Sequence, residues 1–320
     1  MSLQFWSAAE AAARKRHISA QSDTAGYAAG IMTWVIAGSV FIAFKLGVRE
    51  MPPWTFCCAR ALIADLLLLP FVAGYFRDMV DLLRRRWLEA VFIGAIGLGL
   101  TQGVTIMALS YTSAINVGII FALAPMVTML LARVVLGEAM NGWQGIGLAI
   151  AFIGIVTIAV HGSLAMLLGL KIGIGDLFAF VAILLFAGYT VLLKRAKFEL
   201  PTLPLLAILL GAGAAAALPF SLWEIARGEH ERLATTGYLA LAYTAAIGGA
   251  LMYFLYNWSV GVLGAARAGL MIYLQTVFAT IFAWLILGEA IEWYHFVGGG
   301  LVVVGILFVT LLRPAVPAVK

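Results

Sequence analysis

The stretch Leu136-Gly137-Glu138-Ala139 recurs as Leu287-Gly288-Glu289-Ala290, and the rest of the chain is organised around this pair. When the two copies are superposed at an offset of 151 residues, the flanking sequence aligns without a gap. The glycines that coincide are Gly97 with Gly248, Gly118 with Gly269, Gly147 with Gly298, and Gly154 with Gly305. An apolar run of about twenty residues precedes each copy and another follows it, so one unit has been used twice.

Upstream of these runs the same duplication continues at an offset that is two residues shorter. The residues that coincide there are Lys45 with Lys194, Glu50 with Glu199, Pro52 with Pro201, and Pro70 with Pro219. The slip falls in the loop after Pro70 and Pro219, where insertions are tolerated. The sequence therefore predicts an N-terminal tail (1–25), a first repeat (26–160), a second repeat (174–312) and a C-terminal tail (313–320).

The composition is that of a membrane protein. Of the 320 residues, 64% are hydrophobic and 11% are charged, whereas a soluble domain carries about 25% charged residues. The net charge of +5 does not indicate nucleic acid, because the basic residues lie between apolar runs rather than on one stripe. Cys57 and Cys58 are adjacent within an apolar run, which favours small core residues over a disulfide or a metal site.

Ten apolar runs are long enough to cross a bilayer as helices. They lie near 27–45, 55–74, 88–108, 114–135, 142–160, 174–193, 203–223, 238–257, 266–287 and 293–312. A repeat of five spans begins and ends on opposite sides of the membrane, so its copy must be inserted upside down. We therefore expect an all-α membrane protein of ten transmembrane helices, built as two inverted five-helix repeats.

Basic residues set the predicted orientation. With the N-terminus in the cytoplasm, the clusters Arg84–Arg86 and Lys194–Lys197 both face inward, although they belong to different repeats. We expect a multi-pass protein of the cytoplasmic (inner) membrane with both termini cytoplasmic. Small residues are expected to allow close helix packing in lipid. They are Ala95, Gly99 and Gly103 in the third span and Gly298, Gly299 and Gly300 in the tenth.

The chain resembles a ten-span member of the drug/metabolite transporter superfamily, in its EamA branch. The features that carry the resemblance are the paired Leu-Gly-Glu motif after the fourth and ninth spans, the two five-helix halves, and Arg60 shortly after Pro52-Pro53. The resemblance covers about 26–311 and implies small-molecule transport through a central cavity between the halves, often export of amino acids, metabolites or toxic organic compounds. Two features depart from the family pattern: Pro125 has Thr276 as its counterpart, and Asp65 lies mid-span.

The duplicated motif itself has two interpretations. Gly137 and Gly288 suit the left-handed C-terminal cap of a helix. Glu138 and Glu289 then fall at the start of the next helix, where the helix dipole favours negative charge. This favours helix-turn-helix architecture, with a gating or ion-coupling role as the alternative.

Polar side chains inside the spans are the candidates for a binding site, because such groups usually face a cavity. Tyr253, Tyr256, Asn257 and Val260 recur at helical spacing and share one face. The predicted cavity residues are Trp34, Gln102, Thr105, Tyr189, Tyr253, Tyr256, Asn257, Arg267, Tyr273 and Gln275. The alternative is that the aromatic residues anchor the helices at the membrane interface.

Aromatic, amide and hydroxyl groups together suit an amphipathic solute, and aromatic faces also hold organic cations. Amino acids and cationic organic compounds are therefore favoured over phosphorylated sugars, which would need several inward Lys or Arg. Only Arg60 and Arg267 are candidates for contact with an anion. Arg60 lies near the outer end of its span, where snorkelling to the interface is expected.

Asp65 lies about ten residues into the second span, close to mid-membrane. It points about 140° away from Arg60 around the helix, so the two do not pair readily. Two interpretations stay open: a protonated carboxyl hydrogen-bonded to a neighbour, or a carboxylate that couples transport to protons. A proton is thus a candidate coupling ion.

Enzyme chemistry has little support in the sequence. None of the four histidines pairs with acidic residues at metal-ligand spacing, and no Gly-x-x-x-x-Gly-Lys-Ser/Thr loop is present to bind ATP. We therefore predict no catalytic residues, no cofactor and no metal. The predicted function is secondary active export of a small amphipathic metabolite such as an amino acid, driven by a gradient or by exchange, by a monomer or homodimer. The alternatives are an exporter of organic cations, a passive channel and, less favoured, a membrane-embedded enzyme.

Overall fold

The computed structural model describes most of the predicted membrane domain. It covers residues 23–40, 43–44, 46–48, 50–112, 117, 120–137, 142–169, 173–228, 234–287 and 292–311. All regular structure in these ranges is helical. Residues 1–22 of the N-terminal tail, the C-terminal tail, Lys45, and the motif residues Glu138, Ala139, Gly288, Glu289 and Ala290 lie outside the described residues. The predictions that concern them stay predictions.

Helical residues occur within each of the ten predicted spans. The helices are α1 (23–40), α2 (Pro53–Val72), α3 (Phe76–Gly94, continuing through Ala95–Leu100 to Thr101–Tyr111), α4 (Ala124–Leu136), α5 (Gly142–Ala159), α6 (Ile174–Ala196), α7 (Thr202–Ala226), α8 (Thr235–Leu263), α9 (Ala265–Leu270 and Tyr273–Leu287) and α10 (Trp293–Leu311). Between α5 and α6 lies a short helix, Leu164–Leu168.

Several of these helices are long and apolar enough to cross a membrane without interruption. The stretches are Pro53–Tyr111, which contains two predicted spans, and Gly142–Ala159, Ile174–Ala196, Thr202–Ala226 and Thr235–Leu263. Leucines, phenylalanines and tryptophans lie exposed along their outer faces, as lipid-facing surfaces require. The all-α membrane class is therefore confirmed, while the count of ten crossings stays a prediction.

The crossing of α5 and α10 shows how the two repeats are related. A Cβ atom at Gly154 would collide with the carbonyl of Gly298, and one at Gly305 would collide with the carbonyl of Gly147. Gly154 is equivalent to Gly305 in the repeat, and Gly298 is equivalent to Gly147, so the two contacts are the same contact seen from each repeat. A two-fold axis between the helices produces such a pair. Because the partner number falls as the residue number rises, the equivalent helices run antiparallel. The repeats are inverted.

The same two-fold relation governs contacts deep in the bundle. Gly97 lies against the ring of Tyr189, and its counterpart Gly248 lies against Val40, the residue equivalent to Tyr189. In the same way Gly26 contacts Leu263, and Gly175 contacts Thr112. The duplication in sequence is thus a symmetry of the packed structure.

Two π-helical segments interrupt α3 and α8 at equivalent places, Ala95–Leu100 and Thr244–Leu251. A π segment carries an extra residue per turn, which widens the helix and turns the following side chains. Gln102 and Tyr253 are each the second residue after one of these segments. Nothing in the apolar sequence around them predicts this wider turn.

Glycine has the expected role at some positions and not at others. Gly137 ends α4 with φ 68° and ψ 19°, the left-handed cap that the sequence predicts. Gly298 packs tightly against α5, but a Cβ at Gly299 or Gly300 would meet no described atom within 4 Å. The expectation that all three glycines of this run allow close packing is wrong for the last two, because they lie on other faces of α10.

Candidate functional site

Two hydrogen bonds join α6 and α8 inside the second repeat. The hydroxyl of Tyr189 donates to Oδ1 of Asn257 at 2.6 Å, and the hydroxyls of Thr190 and Tyr256 lie 2.6 Å apart. All four residues are buried. Because Tyr253, Tyr256, Asn257 and Val260 share one face of α8, burying that face brings every polar group on it inside the bundle.

Trp34, in α1 of the first repeat, packs against these residues of the second repeat. Its ring meets Tyr256 edge-on at 5.9 Å between centroids and Phe186 at 6.3 Å, and the latter two are 5.5 Å apart. The Nε1 of Trp34 and the Nδ2 of Asn257 are buried and have no hydrogen-bond partner among the described residues. Buried donors without a partner are rare in proteins, so these two are candidates for binding a ligand.

Gln102 of α3 extends the polar region into the first repeat. Its Nε2 donates to the hydroxyl of Tyr253 at 2.6 Å. Its Oε1 accepts from Nη1 of Arg60 at 3.4 Å. The polar side chains of the two repeats therefore form one continuous group at the contact between α3 and α8. We call the set Trp34, Gln102, Phe186, Tyr189, Thr190, Tyr253, Tyr256 and Asn257 the central cluster.

Both repeats have an interrupted helix next to this cluster. Residues 122–123 form a turn before α4, and residues 271–272 form a turn inside α9. The hydroxyl of Tyr273, which begins the longer part of α9, donates to the carbonyl of Ala122 at 2.8 Å. A helix break leaves backbone groups unpaired in a membrane, and here a buried tyrosine of one repeat satisfies a carbonyl at the break in the other.

Three further predicted residues make no hydrogen bond to the central cluster within the described part of the chain. Thr105 turns its hydroxyl to the carbonyl of Thr101 on its own helix. Gln275 and Arg267 are half-buried on α9. The side chains of Thr276 and Thr280, predicted to share a face with Tyr273, lie outside the described residues.

Arg60 is buried rather than at the membrane interface. Its side chain is 3% exposed, its Nε donates to the carbonyl of Thr244 at 2.9 Å, and its Nη2 donates to the carbonyl of Gly248 at 3.1 Å. The expectation that it snorkels outward is wrong. The π segment of α8 presents carbonyl oxygens to the guanidinium, which stabilises the charge inside the bundle.

Asp65 faces the packed contact between α2 and α7. Its Oδ1 is buried without a hydrogen-bond partner among the described residues, and its Oδ2 lies beside Gly211. The carboxyl is not part of the central cluster. One interpretation of Asp65 was a protonated carboxyl that is hydrogen-bonded to a neighbour. Within the described part of the chain, Oδ1 makes no such hydrogen bond.

Phe186 belongs to the central cluster although sequence analysis did not select it. It precedes Tyr189 and Thr190 by three and four residues, so it lies on the same face of α6. Helical spacing from those two residues is the signal that would have found it.

Two inverted repeats of apolar helices, with interrupted helices and a buried polar cluster between them, are typical of membrane transporters of the inverted-repeat class. Comparison with known proteins agrees with this class. The profile of the EamA-like transporter family matches residues 24–160 and again residues 173–311. This chain belongs to the EamA-like transporter family, within the drug/metabolite transporter superfamily.

Individual relatives are similar over almost their whole length. An uncharacterized transporter of Bacillus subtilis, YyaM, is 27% identical over 278 residues, which is 85% of this chain and 89% of the relative. An uncharacterized transporter of Archaeoglobus fulgidus is 26% identical, covering 87% and 95%. The inner membrane transporter YedA of Escherichia coli, also uncharacterized, is 25% identical, covering 89% and 92%.

A solved crystal structure has the same fold. It superposes with a TM-score of 0.71 at 20% identity and covers 92% of this chain and 97% of its own. At that level of identity the likeness concerns the fold alone.

Proposed function

We propose that this protein is a secondary active transporter that exports a small amphipathic metabolite such as an amino acid. The observation that carries the proposal is the central cluster. It combines aromatic faces, hydroxyl groups and amide groups with two buried donors that lack partners among the described residues, Trp34 Nε1 and Asn257 Nδ2. A solute with an apolar part and hydrogen-bonding groups fits such a lining.

The proposed mechanism is alternating access around this cluster. The interruptions at 122–123 and 271–272 and the two π segments occur in both repeats next to it. Irregular backbone at membrane depth is tolerated where it lines a cavity, and inverted repeats allow one half to rock against the other. The proposed binding residues are Trp34, Gln102, Tyr189, Tyr253, Tyr256, Asn257 and Tyr273, with Thr105, Arg267 and Gln275 as further candidates. A gradient or exchange drives the cycle.

A second candidate substrate class is organic cations. Trp34, Phe186 and Tyr256 present three aromatic rings within 6.3 Å of one another. Aromatic faces attract ammonium groups, most strongly when the site is free of water. This observation favours a cation, whereas the hydrogen-bonding groups beside it favour a zwitterion.

Counterflow in proteoliposomes tests the proposal. Purified protein is reconstituted, vesicles are loaded with one unlabelled compound from a panel of amino acids and organic ammonium compounds, and uptake of the labelled compound is followed. A transporter accumulates label transiently, above the level in unloaded vesicles. A passive channel gives no such acceleration by internal substrate, and the absence of counterflow for the whole panel contradicts the proposal.

The proposed location is the cytoplasmic membrane with both termini inside. Arg84–Arg86 and Lys194–Lys197 then lie at the cytoplasmic surface. Fusion of a reporter that is active only in the cytoplasm to residue 320, and separately to the loop at 229–233, tests this orientation. Activity at the loop and not at the C-terminus would reverse it.

A further inference from the structure

Arg60 is the only buried lysine or arginine in the described part of the chain, and it lacks an anionic partner there. The one ion pair among the described residues joins Arg86 and Glu89. The groups around the Arg60 guanidinium are neutral: the oxygens of Thr244, Gly248 and Gln102 and the hydroxyl of Tyr253. Its charge inside the bundle is therefore offset only by dipoles.

The guanidinium also has hydrogen-bonding capacity to spare. It carries five N–H donors, and three of them make the hydrogen bonds just described. The ring of Phe44 lies 5.0 Å from the guanidinium carbon and covers one face of it. The hydroxyl of Tyr253 also lies within hydrogen-bonding reach of the guanidinium, so one of the five N–H groups remains without a described partner.

The position of this cation connects it with the central cluster. Nη1 of Arg60 reaches Oε1 of Gln102, and the amide nitrogen of Gln102 reaches the hydroxyl of Tyr253. The equivalent position in the second repeat is occupied by Leu209, so the charge is present on one side of the two-fold axis only. A ligand that touches Gln102 and Tyr253 lies within reach of the guanidinium.

We propose that Arg60 binds the carboxylate of the transported solute. This rests on the proposed transport function and deepens it, because it makes the substrate a monocarboxylate such as an amino acid. A guanidinium matches a carboxylate with two parallel hydrogen bonds, and a single buried cation balances one negative charge. The aromatic rings around Trp34 then take the apolar or ammonium end of the same molecule.

The test compares acids with their amides, which differ in charge and hardly in shape. Counterflow is measured for L-phenylalanine, L-leucine and L-threonine and for the corresponding amino acid amides, in the full-length protein. The wild type is expected to prefer acids roughly tenfold to a hundredfold, the range of charge-assisted hydrogen bonds. Arg60→Gln is expected to bring the ratio near one, and Arg60→Lys to retain part of it. Arg227→Gln, which alters an exposed arginine stacked on Trp223, is the matched control.

A second variant keeps the test decisive if Arg60→Gln does not fold. Gln102→Glu places a carboxylate of the same shape beside Arg60, and it is expected to abolish transport of the acids because it occupies their partner. Preference of the wild type for amides, or an unchanged ratio in Arg60→Gln, would overturn the assignment while leaving a transporter. Exchange of neither acids nor amides would also overturn the role of Arg60, and the full panel of amino acids and organic ammonium compounds then decides separately whether the protein is a transporter.

Discussion

Gln102 and Tyr253 are equivalent residues of the two repeats, and they are hydrogen-bonded to each other at 2.6 Å. Two equivalent positions meet only beside the axis that relates the repeats. The pair therefore marks the centre of the pseudo-symmetric bundle. The second such contact, from Tyr273 to the carbonyl of Ala122, also joins equivalent positions, so both lie along the axis where the halves would move against each other.

Removing either member of the central pair should slow transport. In Tyr253→Phe the Gln102 amide loses its acceptor, and in Gln102→Leu the tyrosine hydroxyl loses its donor. A buried polar group left unpaired costs about 1–3 kcal/mol, so we expect initial counterflow rates to fall roughly fivefold to a hundredfold. The double variant should be no slower than the worse single variant. Tyr243→Phe is the control, because it removes an exposed hydroxyl bonded to Ser39 and should leave the rate unchanged. Equal losses of rate in Tyr253→Phe, Gln102→Leu and Tyr243→Phe would contradict a special role for the central pair.

Alanine at either glycine of the α5–α10 crossing should destabilise the protein. A methyl group at Gly154 or Gly305 collides with a backbone carbonyl of the other helix. Overpacking of this kind costs about 1–3 kcal/mol, so the thermal midpoint of the detergent-purified protein should fall by several degrees. Gly145→Ala and Gly299→Ala are matched controls on the same two helices, because a Cβ there meets nothing within 4 Å. If the thermal midpoint fell equally in the two crossing variants and in the two controls, the loss of stability would come from reduced helix flexibility and not from the helix crossing.

Trp34→Phe should weaken substrate binding while preserving the aromatic contact. The substitution keeps a ring against Phe186 and Tyr256 but removes the Nε1 donor that lacks a described partner. Loss of one hydrogen bond to a ligand is worth about 1 kcal/mol, so the half-saturating concentration in counterflow should rise about fivefold with little change in maximal rate. Trp87→Phe, at an exposed position, is the control. Unchanged affinity in Trp34→Phe would exclude the indole N–H from binding.

Asp65→Asn should separate transport from proton coupling. If the carboxyl beside Gly211 carries the proton, an imposed pH gradient will accelerate efflux by the wild type and will have no effect on the variant. Counterflow at equal pH should persist, because Asp65 does not belong to the central cluster. Asp81→Asn in the surface part of α3 serves as control. Unchanged acceleration in Asp65→Asn would remove this residue as the proton carrier.

Glu224→Ala should loosen the start of α2. Its carboxylate accepts hydrogen bonds from the backbone N–H groups of Trp54 and Thr55 and from the hydroxyl of Thr55, at 2.8–3.0 Å. These are the unpaired donors of a helix N-terminus, and loss of such a cap costs about 0.5–2 kcal/mol. We expect a lower thermal midpoint and a smaller effect in Glu224→Gln. No change in either variant would show that water replaces the carboxylate.

The sequence predicted those features that depend on helical periodicity and on the repeat. Tyr253, Tyr256, Asn257 and Val260 were placed on one face, and all four are buried. The cap at Gly137 follows from the same kind of local reasoning. Whether these residues bind a solute stays a prediction, because burial alone does not distinguish a binding site from a packed core.

The sequence could not predict the features that depend on backbone irregularity. Arg60 was expected to snorkel because it lies only a few residues from the end of its span. That expectation ignored the π segment of α8, whose carbonyl groups stabilise the charge from a neighbouring helix. The turns at 122–123 and 271–272 were missed for a similar reason, since only Pro125 hints at the first and no proline accompanies the second.

The glycine crossing between α5 and α10 has a consequence for biosynthesis. Gly147 leaves the ribosome 158 residues before Gly305, its contact partner in the other repeat. Until α10 has been synthesised, the backbone of α5 at these glycines has no partner from the second repeat. The close contact between α5 and α10 can therefore form only at the end of synthesis, after the other helices have entered the membrane.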